Sequence, residues 1–86
     1  VFMEYYIICR TGEESMRFVD EYWPDEDGNM MFTTSGSFNW ARSFEDYDYA
    51  CEIANQIYHK SDEDGYYVYD VTVRSHDFII ENHLHY

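Results

Sequence analysis

The chain has 86 residues, of which 18 are acidic and five are Lys or Arg, for a formal charge of −13. Phosphates are held by clustered cations, so a direct nucleic-acid ligand is excluded on charge. Disorder is excluded by the rest of the composition: 45% of the residues are hydrophobic and 21% aromatic, whereas disordered acidic tails are poor in both. A chain of this length is expected to form a single domain over residues 1–86, burying roughly 60–65% of the surface its unfolded form exposes.

From Phe2 to Arg10 the residues alternate, with Met3, Tyr5, Ile7 and Cys9 on one side and Phe2, Tyr6 and Ile8 on the other. A period of two with aromatic and β-branched enrichment predicts a strand, which Thr11-Gly12 breaks. Ser15 to Trp23 reads as a second strand through Met16, Phe18 and Tyr22, with a helical turn from Glu13 as the alternative. Pro24 to Asn29 is a turn by composition, and Met30 to Thr34 completes a hairpin that Ser35-Gly36-Ser37 closes.

A helix follows. Ser43 is the expected N-cap, with Asp46 three residues on and Glu45 near the positive end of the helix dipole. Tyr47, Ala50, Cys51, Ala54, Ile57 and Tyr58 recur on one face, and His59 and Lys60 suit the last turn. Ser61 to Gly65 forms a second acidic turn. Tyr66 to Arg74 predicts another strand, with Tyr67, Tyr69, Val71 and Val73 on one side and Tyr66, Val68, Asp70, Thr72 and Arg74 on the other. The tail from Asp77 to Tyr86 carries Phe78, Ile79, Ile80 and Leu84, enough apolar surface to pack as a short strand or a turn of helix.

The expected fold is α+β: a three- to four-stranded, mainly antiparallel sheet with one helix across one face, in the order β-β-β-α-β. One helix covers one side. The opposite face, with Phe2, Tyr6, Ile8, Tyr66 and Val68, is then capped by the C-terminal tail, by a second copy in a homodimer, or by a partner.

The apolar runs are far too short to span a membrane, and none at the start resembles a signal peptide. Cys9 and Cys51 both fall on apolar faces, which suggests a reducing, cytoplasmic setting; a Cys9–Cys51 disulfide is the alternative. Asp25-Glu26-Asp27-Gly28-Asn29 and Asp62-Glu63-Asp64-Gly65 have the look of calcium loops. Counting back from each glycine, however, puts Trp23 or Lys60 at the first ligand position, where an EF-hand needs Asp. His76, His83 and His85 lack the tight pairing and the third ligand of a zinc site, so no metal or cofactor is expected. No phosphate loop, serine elbow or activated cysteine is present, which argues against an enzyme and leaves no catalytic residue to assign.

The acids are clustered. Asp20, Glu21, Asp25, Glu26 and Asp27 form one group, and Asp62, Glu63 and Asp64 another. Glu45, Asp48 and Glu52 follow an i, i+3, i+7 spacing, which on a helix places them about 4.5 and 6 Å apart along the axis. Such a row has the scale of a phosphate backbone, and ordinary solvated faces mix both signs of charge. These residues are therefore the candidate surface for a basic, nucleic-acid-binding partner protein, with Trp23 as an aromatic anchor and Trp40 as either a second anchor or a core residue.

The strand Tyr5-Tyr6-Ile7-Ile8, the run Trp40-Ala41-Arg42-Ser43-Phe44-Glu45-Asp46-Tyr47-Asp48-Tyr49-Ala50 leading into a helix, and Tyr67-Val68-Tyr69-Asp70-Val71 resemble the layout of small phage-encoded proteins. In size and acidity the chain is similar to anti-CRISPR proteins, several of which are DNA mimics. The resemblance implies an inhibitor that acts in the bacterial host cell on a nucleic-acid-handling enzyme, such as a CRISPR nuclease. The competing expectation is a small homo-oligomeric phage structural or accessory protein, with its charge serving solubility alone.

Overall fold

The computed structural model describes residues 3–12 and 15–84. Four strands, β1 (Tyr5–Arg10), β2 (Met16–Pro24), β3 (Met30–Ser35) and β4 (Asp70–Ser75), form one antiparallel sheet in the order β3-β2-β1-β4. Helix α1 (Tyr47–Ile57) packs on one face, and a short helix α2 (His76–Glu81) follows β4. This is the α+β order expected, with a second helix added by the tail. Phe2, read as part of the first strand, lies outside the described residues.

The helix face buries the larger core. Ile7 and Cys9 of β1, Val19 of β2, Phe32 of β3 and Val73 of β4 meet Ala50, Ile53, Ala54 and Ile57 of α1. Ile53 belongs to this stripe, while Tyr58 at its end is exposed. The opposite face has its own smaller core of Tyr6, Ile8, Phe18 and Ile79, flanked by Phe38 of a 3₁₀ turn (Phe38–Trp40) and by Leu84. Of the three expected coverings of that face, the tail supplies Ile79 and Leu84. Ser75 caps α2 by accepting from the Phe78 N–H, and this turns the chain under the sheet so that Ile79 is fully buried.

Several local expectations are corrected. The helix starts at Asp46, whose carboxylate accepts from the N–H groups of Asp48 and Tyr49, and not at Ser43. Phe44 exchanges both backbone hydrogen bonds with Tyr5 at 2.8 Å, and the Arg42 N–H donates to the Val19 carbonyl, so residues 42–44 are held extended. The last strand begins at Asp70, not Tyr66. Before it, the chain folds back on itself: the Val68 N–H donates to the Lys60 carbonyl, and Asp62 and Tyr66 are joined by backbone bonding at 2.8 Å. Val68 consequently plugs the helix-side core, while Tyr67 and Tyr69 are exposed. Tyr66 also leaves the opposite face, because its ring stacks under Arg17, the cross-strand neighbour of the buried Cys9.

In β2 the register slips between Val19 and Glu21, with Asp20 as the extra residue. A bulge of this kind reverses the alternation beyond it. Phe18 therefore joins the smaller core, while Tyr22 turns to the helix side and stacks on Phe44 at 5.5 Å between ring centroids. Met16, Phe18 and Tyr22, read as one strand, are thus divided between the two faces of the sheet.

Candidate partner-binding surface

The two acidic turns have the same construction. In residues 25–29 the Asp25 carboxylate accepts from the N–H groups of Asp27 (2.9 Å) and Asn29 (2.8 Å), and the Gly28 N–H donates to the Asp25 carbonyl. In residues 62–66 the Asp62 carboxylate accepts from Asp64 (3.0 Å) and Tyr66 (2.8 Å), and the Gly65 N–H donates to the Asp62 carbonyl. Gly28 and Gly65 both have positive φ, +83° and +91°, which explains the glycine at the fourth place of each Asp-Glu-Asp-Gly sequence. The repeated motif thus has a local structural cause. Its first Asp closes the turn, and Glu26, Asp27, Glu63 and Asp64 are left pointing to solvent.

The two leading aspartates differ in depth. Asp25 is half-buried, and the Asn29 amide, with the Asp27 amide, holds its carboxyl below the usual range. Asp62 is only 5% exposed. Its second oxygen accepts from the Thr34 hydroxyl at 2.7 Å, and Thr34 in turn accepts from the Arg17 guanidinium at 2.7 Å. Asp62 is therefore a structural residue at the base of its turn, although the sequence places it in the partner-binding set.

Glu45, Asp48 and Glu52 are all exposed, but they do not form one helical row. Glu45 precedes the N-cap. Asp48 and Glu52, one turn apart on α1, lie on the side away from the core, about 6 Å apart along the axis. Helix α1 packs on β3, the 25–29 turn ends the β2–β3 hairpin, and the Glu63 N–H donates to the Phe32 carbonyl of β3. Strand β3 is thus the element around which the three acidic segments gather.

Their charge is not neutralised from within. Among the described residues no Lys or Arg pairs with a carboxylate, and the one contact of an acid with a basic side chain is His76 Nδ1 to Asp77, at 3.8 Å. Three of the five cations sit over aromatic rings instead: Arg17 over Tyr66 at 3.9 Å, Arg74 over Phe78 at 4.9 Å and Arg42 over Tyr22 at 5.4 Å. Cation–π placement leaves carboxylates unpaired, so the negative field reaches solvent.

Trp23 is 36% exposed, beside Met31 at the end of the hairpin, and Trp40 is 73% exposed, which rules out a core role. The sequence reading missed a larger aromatic group. Tyr58, Tyr67 and Tyr69 are each at least 41% exposed, and His59 links them: its ring lies 4.0 Å from that of Tyr58, and its Nδ1 is 3.2 Å from the Tyr67 hydroxyl. The Tyr67 and Tyr69 rings meet edge-on at 5.2 Å. Period-two tyrosines read as a buried strand face; the signal that they are not buried is the acidic turn immediately before them, which holds the chain away from the sheet.

Cys9 and Cys51 are both free thiols. Burial, reinforced by the nearby Asp62 carboxylate, pushes the Cys9 thiol up to about 12, which disfavours its thiolate form. No group of His, Cys, Asp and Glu among the described residues is arranged to hold a metal ion, and no helix among them is long and apolar enough to cross a membrane. Compared with protein-family models, with curated proteins and with solved structures, the chain matches none.

Proposed function

We propose that this chain is an acidic protein ligand for the basic, nucleic-acid-binding surface of another protein, and that it inhibits by occupying the place of a phosphate backbone. The observation that carries this reading is the uncompensated charge: −13 overall, with Arg17, Arg42 and Arg74 placed over rings rather than beside carboxylates. Asp48 and Glu52 on α1, Glu45 ahead of it, and Glu26, Asp27, Glu63 and Asp64 in the two turns are the contact acids. Asp25 and Asp62 shape the turns that present them. Long-range attraction speeds encounter, and exposed rings such as Trp23, Tyr67 and Tyr69 supply short-range anchoring. A bacterial defence nuclease of the CRISPR type, met in the host cytoplasm, is the target class the resemblance implies.

The test is capture of partners by the tagged chain from a bacterial lysate at low and high salt. The expected result is a DNA- or RNA-binding protein that is lost at high salt and displaced by added duplex DNA. The triple variant Glu45→Lys, Asp48→Lys, Glu52→Lys should abolish that capture with the fold intact. Capture that survives both high salt and the triple variant would overturn the reading.

A further inference from the structure

Sheet edges are templates for pairing unless they are covered. The β3 edge is covered in part, since the Glu63 N–H reaches the Phe32 carbonyl. The β4 edge has no backbone partner among the described residues. The phase of its ladder follows from its neighbours. The Glu4 carbonyl accepts from the His76 N–H and the Arg10 carbonyl from the Tyr69 N–H, so the even-numbered residues of β1 bond toward β4. Their register partners are Arg74, Thr72 and Asp70. The peptide groups of Val71, Val73 and Ser75 therefore point outward, away from the sheet.

The sequence of this edge, Asp70-Val71-Thr72-Val73-Arg74, is a palindrome in shape and an antipalindrome in charge about Thr72. We propose that two copies of the chain pair β4 to β4 in antiparallel fashion, centred on Thr72, to make one continuous sheet. In this register Val71 and Val73 exchange backbone bonds with Val73 and Val71 of the second copy. Thr72 faces its own mate. Asp70 faces Arg74 across the two-fold axis, twice. Opposed threonines and opposite charges in such cross-strand pairs are each favourable, and Asp70, Thr72 and Arg74 would occupy the non-hydrogen-bonded positions, where side chains come closest.

The surroundings suit a second copy. Asp70 and Arg74 are exposed, and neither has an ionic partner within the chain among the described residues. A groove of about 260 Å³ on the helix side of β4, lined by Tyr47, Cys51 and Asn55, and one of about 370 Å³ on the other side, lined by Phe78 and Asn82, both open beside the strand. The interface is an edge and not the second sheet face, which α2 and Phe38 already occupy.

The test needs only the isolated protein, so its failure is independent of whether a basic partner exists. Sedimentation of the wild type at 0.15 M salt and above, where the repulsion between two acidic chains is screened, should give twice the 10.5 kDa of one chain. Asp70→Arg and Arg74→Asp should each be monomeric, because each opposes like charges, and an equimolar mixture of the two should form a heterodimer. In a Cys51→Ser background, Thr72→Cys should cross-link to its own mate under mild oxidation, since facing Cα atoms about 4.5 Å apart suit a disulfide, whereas Asp70→Cys should not. A wild type that stays monomeric, a dimer that survives both charge variants, or a Thr72→Cys chain that fails to cross-link overturns the proposal.

Discussion

Replacing Asp62 with alanine removes a carboxylate that the fold uses three times. Its oxygens accept from the Asp64 and Tyr66 amides and from the Thr34 hydroxyl, at 3.0, 2.8 and 2.7 Å, and the residue is 5% exposed. Bonds to a charged acceptor contribute about 1.5–3 kcal/mol each, and donors left buried without a partner add their own desolvation cost. The contributions are not additive, and water can reach the Asp64 amide at the exposed turn. A net loss of about 3 kcal/mol or more is the conservative figure, comparable to breaking a buried charged pair. For a domain of this size that lowers Tm by at least about 12 °C. Thermal unfolding followed by circular dichroism, with urea unfolding followed by the fluorescence of Trp23 and Trp40, measures it. Asp64→Ala, in the same turn but exposed, should stay within about 0.5 kcal/mol of wild type, and Asp62→Asn should fall between the two. If Asp62→Ala and Asp64→Ala melt together, the view of Asp62 as a structural residue is wrong.

Cys9 is fully buried and Cys51 half-buried, so a thiol reagent should modify Cys51 in the folded protein and Cys9 only under denaturant. The Cys9 thiol is raised from 9.0 to about 12 in the folded chain, so the unfolded chain loses this proton first. Its contribution is therefore fully present below pH 9 and is lost as pH rises toward 12, by about 4 kcal/mol at most. Cys9→Ala should accordingly show a shallower alkaline loss of stability than wild type; equal slopes would refute the assignment. Deleting Asp20 removes the bulge and turns Tyr22 away from Phe44, so cooperative unfolding should be lost. Asp20→Ala keeps the bulge and loses only the bond from the Thr33 hydroxyl to its carboxylate, about 1.5–3 kcal/mol. Equal stability of the deletion and the alanine variant would show that the bulge does not set the register.

The class of fold and the sign of the surface were legible in the order of the residues alone. Alternation placed Tyr5, Ile7 and Cys9 of β1 and Val71 and Val73 of β4 against the helix, and 3.6-residue periodicity placed Ala50, Ala54 and Ile57 opposite them, because both signals are local. Boundaries and faces were decided by contacts distant in sequence. Tyr5 took Phe44 into a backbone bridge and moved the N-cap from Ser43 to Asp46, which removed Glu45 from the acidic helical row. One extra residue, Asp20, reversed the parity of β2, and no composition signal marks a bulge. Asp62 reads like its acidic neighbours, yet Thr34, 28 residues earlier, makes it part of the interior. The edge of β4 was hidden for a related reason. A strand's sequence shows what its side chains prefer, but which of its two backbone edges is left open is a property of the assembled sheet.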